Sequence, residues 1–174
     1  MKLIKKRLIS RNLRPSITGG VWGWVFLLLL TLNSCDTNNC RLETKVQCVY
    51  GFYASGGSIA IGDTLTITAL DINTVLANRL IDASGVKLPV SYYNDADTLE
   101  FLFQGDDGEG RDTLYIEKQN LAHLDDVSCP AHMWHHITKV YSTHHLIDSV
   151  LIREPDINYD GNENLQIYFR TDQE

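Results

Sequence analysis

Five of the chain's six histidines fall in one short stretch, CPAHMWHHITKVYSTHH: His132, His135, His136, His144 and His145. Imidazole nitrogens ligate zinc and other borderline metals, and a strand–turn–strand through this stretch would bring one from each arm together. The spacing argues against a full site. His135 and His136 are adjacent, so in a strand they point to opposite faces, and no carboxylate is placed by spacing to support them. They read as exposed strand histidines, and no metal site is assigned. A second candidate is DINYDGNEN, Asp156 to Asn164. Asp156, Asn158, Asp160 and Gly161 reproduce the first half of a calcium-binding loop, in which hard oxygens alternate before a glycine turn. The twelfth position, which should carry a bidentate carboxylate, is Ile167. The same residue types also build a polar hairpin turn, and both readings stay open.

Nucleophilic chemistry has less support. No G-x-S-x-G elbow occurs. Cys129 has histidines nearby in sequence, but a disulfide would remove its thiolate. The acids of GDDGEGRD, Gly105 to Asp112, read as a solvated hairpin tip. Trp134, Tyr92, Tyr93, Tyr141 and Tyr159 offer rings for stacking a glycan, although aromatics on strands more often form core or cross-strand pairs. No residue is therefore assigned a catalytic role, no cofactor is expected, and the protein is expected not to be an enzyme.

The elements that carry these residues alternate rather than spiral. DTLTITAL places Leu65, Ile67 and Ala69 on one face, TLEFLFQ places Leu99, Phe101 and Phe103 together, and NLQIYFR does the same with Leu165, Ile167 and Phe169. Period-two patterns rich in β-branched and aromatic residues mark half-buried strands. GVKLPV, DTLYIEK, HMWHHITKVY and LIDSVLIR are further strands, and NTVLANRLID reads as one short helix. Turn signals fall at ASGG, NDAD, GDDGEGRD and EPDINYDGN. The expected fold is all-β: a single immunoglobulin-like β-sandwich of about seven or eight antiparallel strands.

The first 34 residues are of another kind. Lys2, Lys5, Lys6, Arg7, Arg11 and Arg14 stand without an acid, and the apolar run Val21 to Leu32 follows. That run is too short to span a bilayer, which takes about 20 residues, and it fits the h-region of an export signal. LNSC, residues 32 to 35, resembles a bacterial lipobox: Leu32 three residues before Cys35 and the small Ser34 directly before it. The resemblance implies cleavage before Cys35 and lipidation of its sulfur, with acyl chains as the membrane hold. Asp36 then carries two opposed sorting readings, inner-membrane retention or export to the cell surface. The expected layout is a signal peptide over 1–34, a lipidated tether over 35–43 and a β-sandwich domain over 44–174. The chain from Cys35 keeps nine Lys and Arg against 22 Asp and Glu, a net charge of −13. Such a charge repels phosphate backbones, so nucleic acid is excluded as a partner.

Three cysteines remain after Cys35: Cys40, Cys48 and Cys129. An oxidising envelope favours pairing. Cys48 shares a strand face with Val46, Tyr50 and Phe52 and behaves there as a small hydrophobe. Cys40 with Cys129 is the favoured pair, while Cys48 with Cys129 stays open because sequence does not fix connectivity.

The order of these features, a second cysteine soon after Cys35, then KLPV, DTLYI, VSCP and a closing HHLIDSVLI…NENLQIYF, resembles a family of small Bacteroidetes lipoproteins classed as domain of unknown function 6452. Pro130 stands where that family usually has glycine after the cysteine. The resemblance implies no enzymatic activity. It implies an outer-membrane lipoprotein, held through membrane lipid and partnered with an outer-membrane β-barrel protein. The expected function is a non-enzymatic interaction or accessory subunit. The alternative is a ligand-binding lipoprotein that captures calcium or glycan.

Overall fold

The computed structural model describes Cys40, residues 45–106 and residues 108–170. The expected signal peptide and, apart from Cys40, the expected tether over 35–43 with Cys35 lie outside the described residues. Eleven strands follow in order: β1 (Gln47–Ala54), β2 (Gly57–Ser58), β3 (Thr64–Ala69), β4 (Thr74–Leu80), β5 (Gly85–Pro89), β6 (Ala96–Gly105), β7 (Gly108–His123), β8 (His132–Ser142), β9 (Ile147–Ile152), β10 (Asp156–Ile157) and β11 (Leu165–Phe169). There is no helix among the described residues, so the fold is all-β. The short helix expected over NTVLANRLID is a strand, β4, which pairs antiparallel with β3 through two register shifts. Asn73 and Arg79 take φ of 47° and 51°. These values break a right-handed helix at the start and near the end of that run.

The strands form two sheets. One runs β2-β1-β11-β9, with β5 also on β1; the other runs β10-β8-β7-β6-β3-β4. Pairing is antiparallel except between β1 and β11, which lie parallel with Tyr50 opposite Leu165 and Tyr53 opposite Tyr168. That parallel pair departs from the expected wholly antiparallel arrangement. β5 approaches β1 so closely that a Cβ at Gly85 would meet the Tyr50 carbonyl oxygen at 2.5 Å, which only glycine tolerates.

Alternation fixes which side chains enter the core. Leu65, Ile67, Phe101, Leu114, Phe52, Ile147, Leu165 and Ile167 are closed to solvent, and both sheets contribute to this one cluster. Phe169 joins the sheets, its ring 5.7 Å from Phe52 and 5.5 Å from Phe103 in edge-to-face contacts. Each fully buried side chain of this kind stabilises the fold by roughly 1.5–3 kcal/mol.

The inward face of β7 reads Asp112, Leu114, Ile116, Lys118, and all four are buried. Asp112 was expected in a solvated turn. In the structure the β6–β7 turn tightens between Gly105 and Gly108, and Asp112 points into the protein. Its carboxylate accepts hydrogen bonds from the backbone N–H groups of His145 (3.0 Å), Leu146 (2.6 Å) and Ile147 (2.7 Å). The Thr143 hydroxyl donates a fourth. Three of these residues lie in the β8–β9 turn and the fourth, Ile147, opens β9, so one carboxylate holds that connection. Burial alone would raise the Asp112 pKa, but the donors from Ile147, Thr143, His145 and Leu146 outweigh it and hold the group below the usual carboxylate value.

Asp112→Asn keeps the shape but aims an amide N–H at donors. It is expected to lower stability by roughly 3 kcal/mol, read as a lower urea midpoint at unchanged slope. Because the folded pKa is depressed, the carboxylate's contribution is complete above the unfolded value of about 3.9 and fades as pH falls through the folded value. The gap between wild type and variant therefore narrows in acid.

Candidate functional site

The β3–β4 hairpin and the β5–β6 loop, residues 90–95, enclose a cleft of about 250 Å³. Its walls are mainly apolar, from Ile72, Leu76, Val90, Leu99 and the rings of Tyr92 and Tyr93, with Asp71 and Asp97 as the acids. Ile72 and Tyr93 stand at its rim 65% and 94% exposed. Asp71 is fixed by accepting the backbone N–H of Thr98 at 3.0 Å. A concave apolar site with a few oriented polar groups is the usual form of a binding pocket.

Behind the cleft lies a closed polar network. The side chain of Lys118 has no solvent exposure, and its ammonium is 3.6 Å from the Asp97 carboxylate. It donates to the carbonyls of Ser91 (3.0 Å) and Asn94, and to Asn120 Oδ1 at 3.3 Å. Asn120 Nδ2 donates to the same Asn94 carbonyl at 3.1 Å. Asn120 Oδ1 also meets His135 Nδ1 at 2.7 Å. An oxygen that accepts from an ammonium accepts from the imidazole too, so Nδ1 carries the proton. His135 Nε2 is buried and has no hydrogen-bond partner. The Tyr92 ring stacks on the His135 ring at 6.0 Å.

Burial sets the charges here. It lowers the Lys118 pKa against the pull of Asp97, and it raises that of Asp97 against the pull of Lys118. His135 is pushed down to about 4, first by burial and then by the Lys118 charge, so at neutral pH its ring is uncharged. Cys48, the free cysteine, is buried on β1 beside Val46, Tyr50 and Phe52 as expected. Burial is the main cause that pushes its thiol up to about 12. A thiol held there is not a nucleophile at neutral pH. The arrangement positions a wall and a charge balance.

The histidines read from sequence are dispersed. His135 and His136 do face opposite ways, but His132 and His135 are 2% and 1% exposed, not surface residues. His132 and His123 approach the two oxygens of Asp125 at 3.4 and 3.2 Å. His136 Nδ1 lies 2.6 Å from Asp156. His144 Nδ1 donates to the Asp148 carbonyl at 2.8 Å, and His145 sits 3.3 Å from Asp112. Among the described residues no group of three or more His, Cys, Asp or Glu is arranged to hold a metal ion.

The DINYDGNEN loop shows turn chemistry. Asn158 Oδ1 accepts the Asp160 N–H at 2.7 Å, and Gly161 takes φ of 67°. Asn164 is buried; its oxygen accepts the Val49 N–H at 3.0 Å and its amide donates to the carbonyls of Glu154 and Asp156. The five aromatics do not form one platform. Tyr141 stacks on Tyr115 across β7 and β8 at 4.7 Å, and Trp134 stacks on His123 at 3.6 Å while touching Tyr159 edge-on. Cys40 and Cys129 form the favoured disulfide, with Cα atoms 5.5 Å apart.

Sequence reasoning missed Lys118, Asn120, Asp97 and Asp112. The signal was present in DTLYIEK: the alternation that buries Leu114 and Ile116 also places Asp112 and Lys118 inward.

The geometry defines an all-β domain of two sheets, stapled by one disulfide, with an apolar cleft backed by a closed charge network. A family model described as a family of unknown function, DUF6452, matches residues 64–169, and the chain belongs to that family. The matched segment contains β3 to β11, and with them Asp97, Asp112, Lys118 and His135. No curated protein and no solved structure matches the chain.

Lys118→Met strands Asp97 and three acceptors in a closed site. A loss of about 3 kcal/mol is expected in urea unfolding, part of it restored in the double variant with Asp97→Asn. For His135, carbon NMR of the ring should show a neutral imidazole at pH 5.5 and protonation near pH 4. Its folded pKa lies below the unfolded value of about 6.5, so stability declines as pH falls through this window. His135→Asn should remove that slope.

Proposed function

We propose that the chain from Cys35 onward is an acylated lipoprotein of a Bacteroidetes outer membrane. In this reading residues 1–34 are its export signal, and the domain is an immunoglobulin-like sandwich. It serves as a non-enzymatic interaction subunit for another envelope protein, an outer-membrane β-barrel protein. The lipobox-like LNSC and the disulfide at Cys40 support the envelope setting, because such bridges persist outside the cytoplasm. The strand order supports the sandwich reading: the chain passes repeatedly between two sheets that share one core, as Greek-key sandwiches do.

The observation that carries the interaction role is the cleft. It presents exposed Ile72 and Tyr93 at its rim, and the titratable groups behind it are committed to one another. β4 pairs only with β3 among the described strands, so its other edge is free to take a strand from a partner. The rival reading, capture of calcium at Asp156, Asn158 and Asp160, has less support because Asp156 is already held by His136.

A photo-crosslinking residue in place of Tyr93, in intact cells, is expected to capture an outer-membrane protein. Ile72→Asp should reduce the yield at least about tenfold, since a charge in an apolar contact costs more than 1.4 kcal/mol. A yield unaffected by Ile72→Asp, or capture of no envelope protein, speaks against this role.

A further inference from the structure

The loop between β7 and β8, residues 124–131, carries three unusual side chains on or beside it. Val127 is 98% exposed, Leu124 57% and Leu121, near the end of β7, 47%. The same loop holds Cys129, bridged to Cys40. Only four residues separate Cys40 from Cys35, and five residue steps of fully extended chain reach about 18 Å. Wherever the Cys35 sulfur is anchored, Cys40 stays within about that distance of it, and the apolar tip lies farther only by the 5.5 Å between the Cys40 and Cys129 Cα atoms and the few residues from Cys129 back to Leu124.

The two acids of the tip are exposed but engaged by local partners. Asp125 lies between His123 and His132 at 3.2 and 3.4 Å. Asp126 accepts the Ser128 N–H at 2.9 Å and the Ser128 hydroxyl at 2.7 Å. Behind them Trp134 stacks on His123 at 3.6 Å. A loop whose acids are engaged by near neighbours and which holds out Leu124 and Val127 is suited to an uncharged lipid interface, where apolar side chains leave water and no cationic group is needed.

We propose that this tip is a second, protein-borne membrane contact. Leu121, Leu124 and Val127 enter the headgroup and upper acyl region of the bilayer that holds the Cys35 acyl chains. The occupant is a lipid surface, set by the short covalent span from Cys35 through Cys40 to Cys129, and the proposal rests on the acylation of Cys35. Burial of three such side chains adds to the acyl hold, and two points of contact fix how the domain stands. The other end of β7 provides an internal comparison. Leu80, Leu65, Phe103 and Gly110 lie at one level through their pairings, so the exposed Ile81 sits beside that level. Thirteen residue steps along β7, about 43 Å at 3.3 Å per step, separate Gly110 from His123.

The test uses the full-length protein expressed in a host that acylates it, purified and placed in phosphatidylethanolamine vesicles containing brominated phosphatidylcholine. Val127→Trp and Ile81→Trp are compared, each against wild type to account for Trp134. The expected result is loss of about half the added emission at position 127 and almost none at 81, because bromine quenches only rings within the acyl region. Equal quenching at both positions, or none at 127, overturns the tip contact. Intact mass of the same sample tests the underlying reading separately. An unmodified Cys35 removes both the anchor and this proposal, whereas an acylated Cys35 with an unquenched ring at 127 removes the proposal alone. Val127→Asp should leave the urea midpoint unchanged and shield a tryptophan at Leu124 from bromine.

Discussion

The ammonium of Lys118 sits where no water reaches it, and the shape of the cleft depends on how it is satisfied. Its bonds to the carbonyls of Ser91 and Asn94 tie the β5–β6 loop to β7 across 27 and 24 residues of chain. That loop supplies Tyr92 and Tyr93 to the cleft. An unpaired charge in such a place would cost several kcal/mol. The loop therefore has one conformation in which Lys118 is satisfied, and the cleft is formed before anything enters it. Asn120 extends the same constraint to β8 by fixing the tautomer of His135. A register bulge lies between Glu117 and Lys118, at the residue where β7 leaves the core and begins its polar half.

Asp112 does the corresponding work at the other end of the same stripe. Between the two charges lie Leu114 and Ile116, so the inward face of β7 is a short apolar bar with an anion at one end and a cation at the other. Neither charge is paired with the other; each is met by backbone groups of a connecting segment. The polar ends of this strand thus hold loops, and its apolar middle holds the core.

Much of the architecture was legible because alternation is a local property. Leu65, Ile67, Phe101, Leu165 and Ile167 all lie where their spacing places them, and Cys48 follows the same rule. The failures are non-local. Nothing near NTVLANRLID indicates that β3 will lie alongside it, and pairing outweighs the modest helix preference of Leu, Ala and Arg. Asp112 and Lys118 carry a surface residue's chemistry, and their partners lie about 30 positions away in sequence. His132 and His135 were expected on the surface because a histidine's burial depends on Asp125 and Asn120, which periodicity does not reveal. Membership of DUF6452 covers the cleft and both charged ends of β7, so these are features of the matched segment and not of the N-terminal region.

The parallel union of β1 with β11 governs the order in which this molecule can be completed. The Val49 N–H is met by the side chain of Asn164, 115 residues later, and β1 has β11 along one edge. A polypeptide that emerges amino end first, from a ribosome or a translocation channel, shows β1 long before its neighbour exists. Until β11 arrives, that edge stays open to any other extended segment. Loop closure over such a span makes maturation slow relative to hairpin formation, and the interval is one in which a holding chaperone has something to protect.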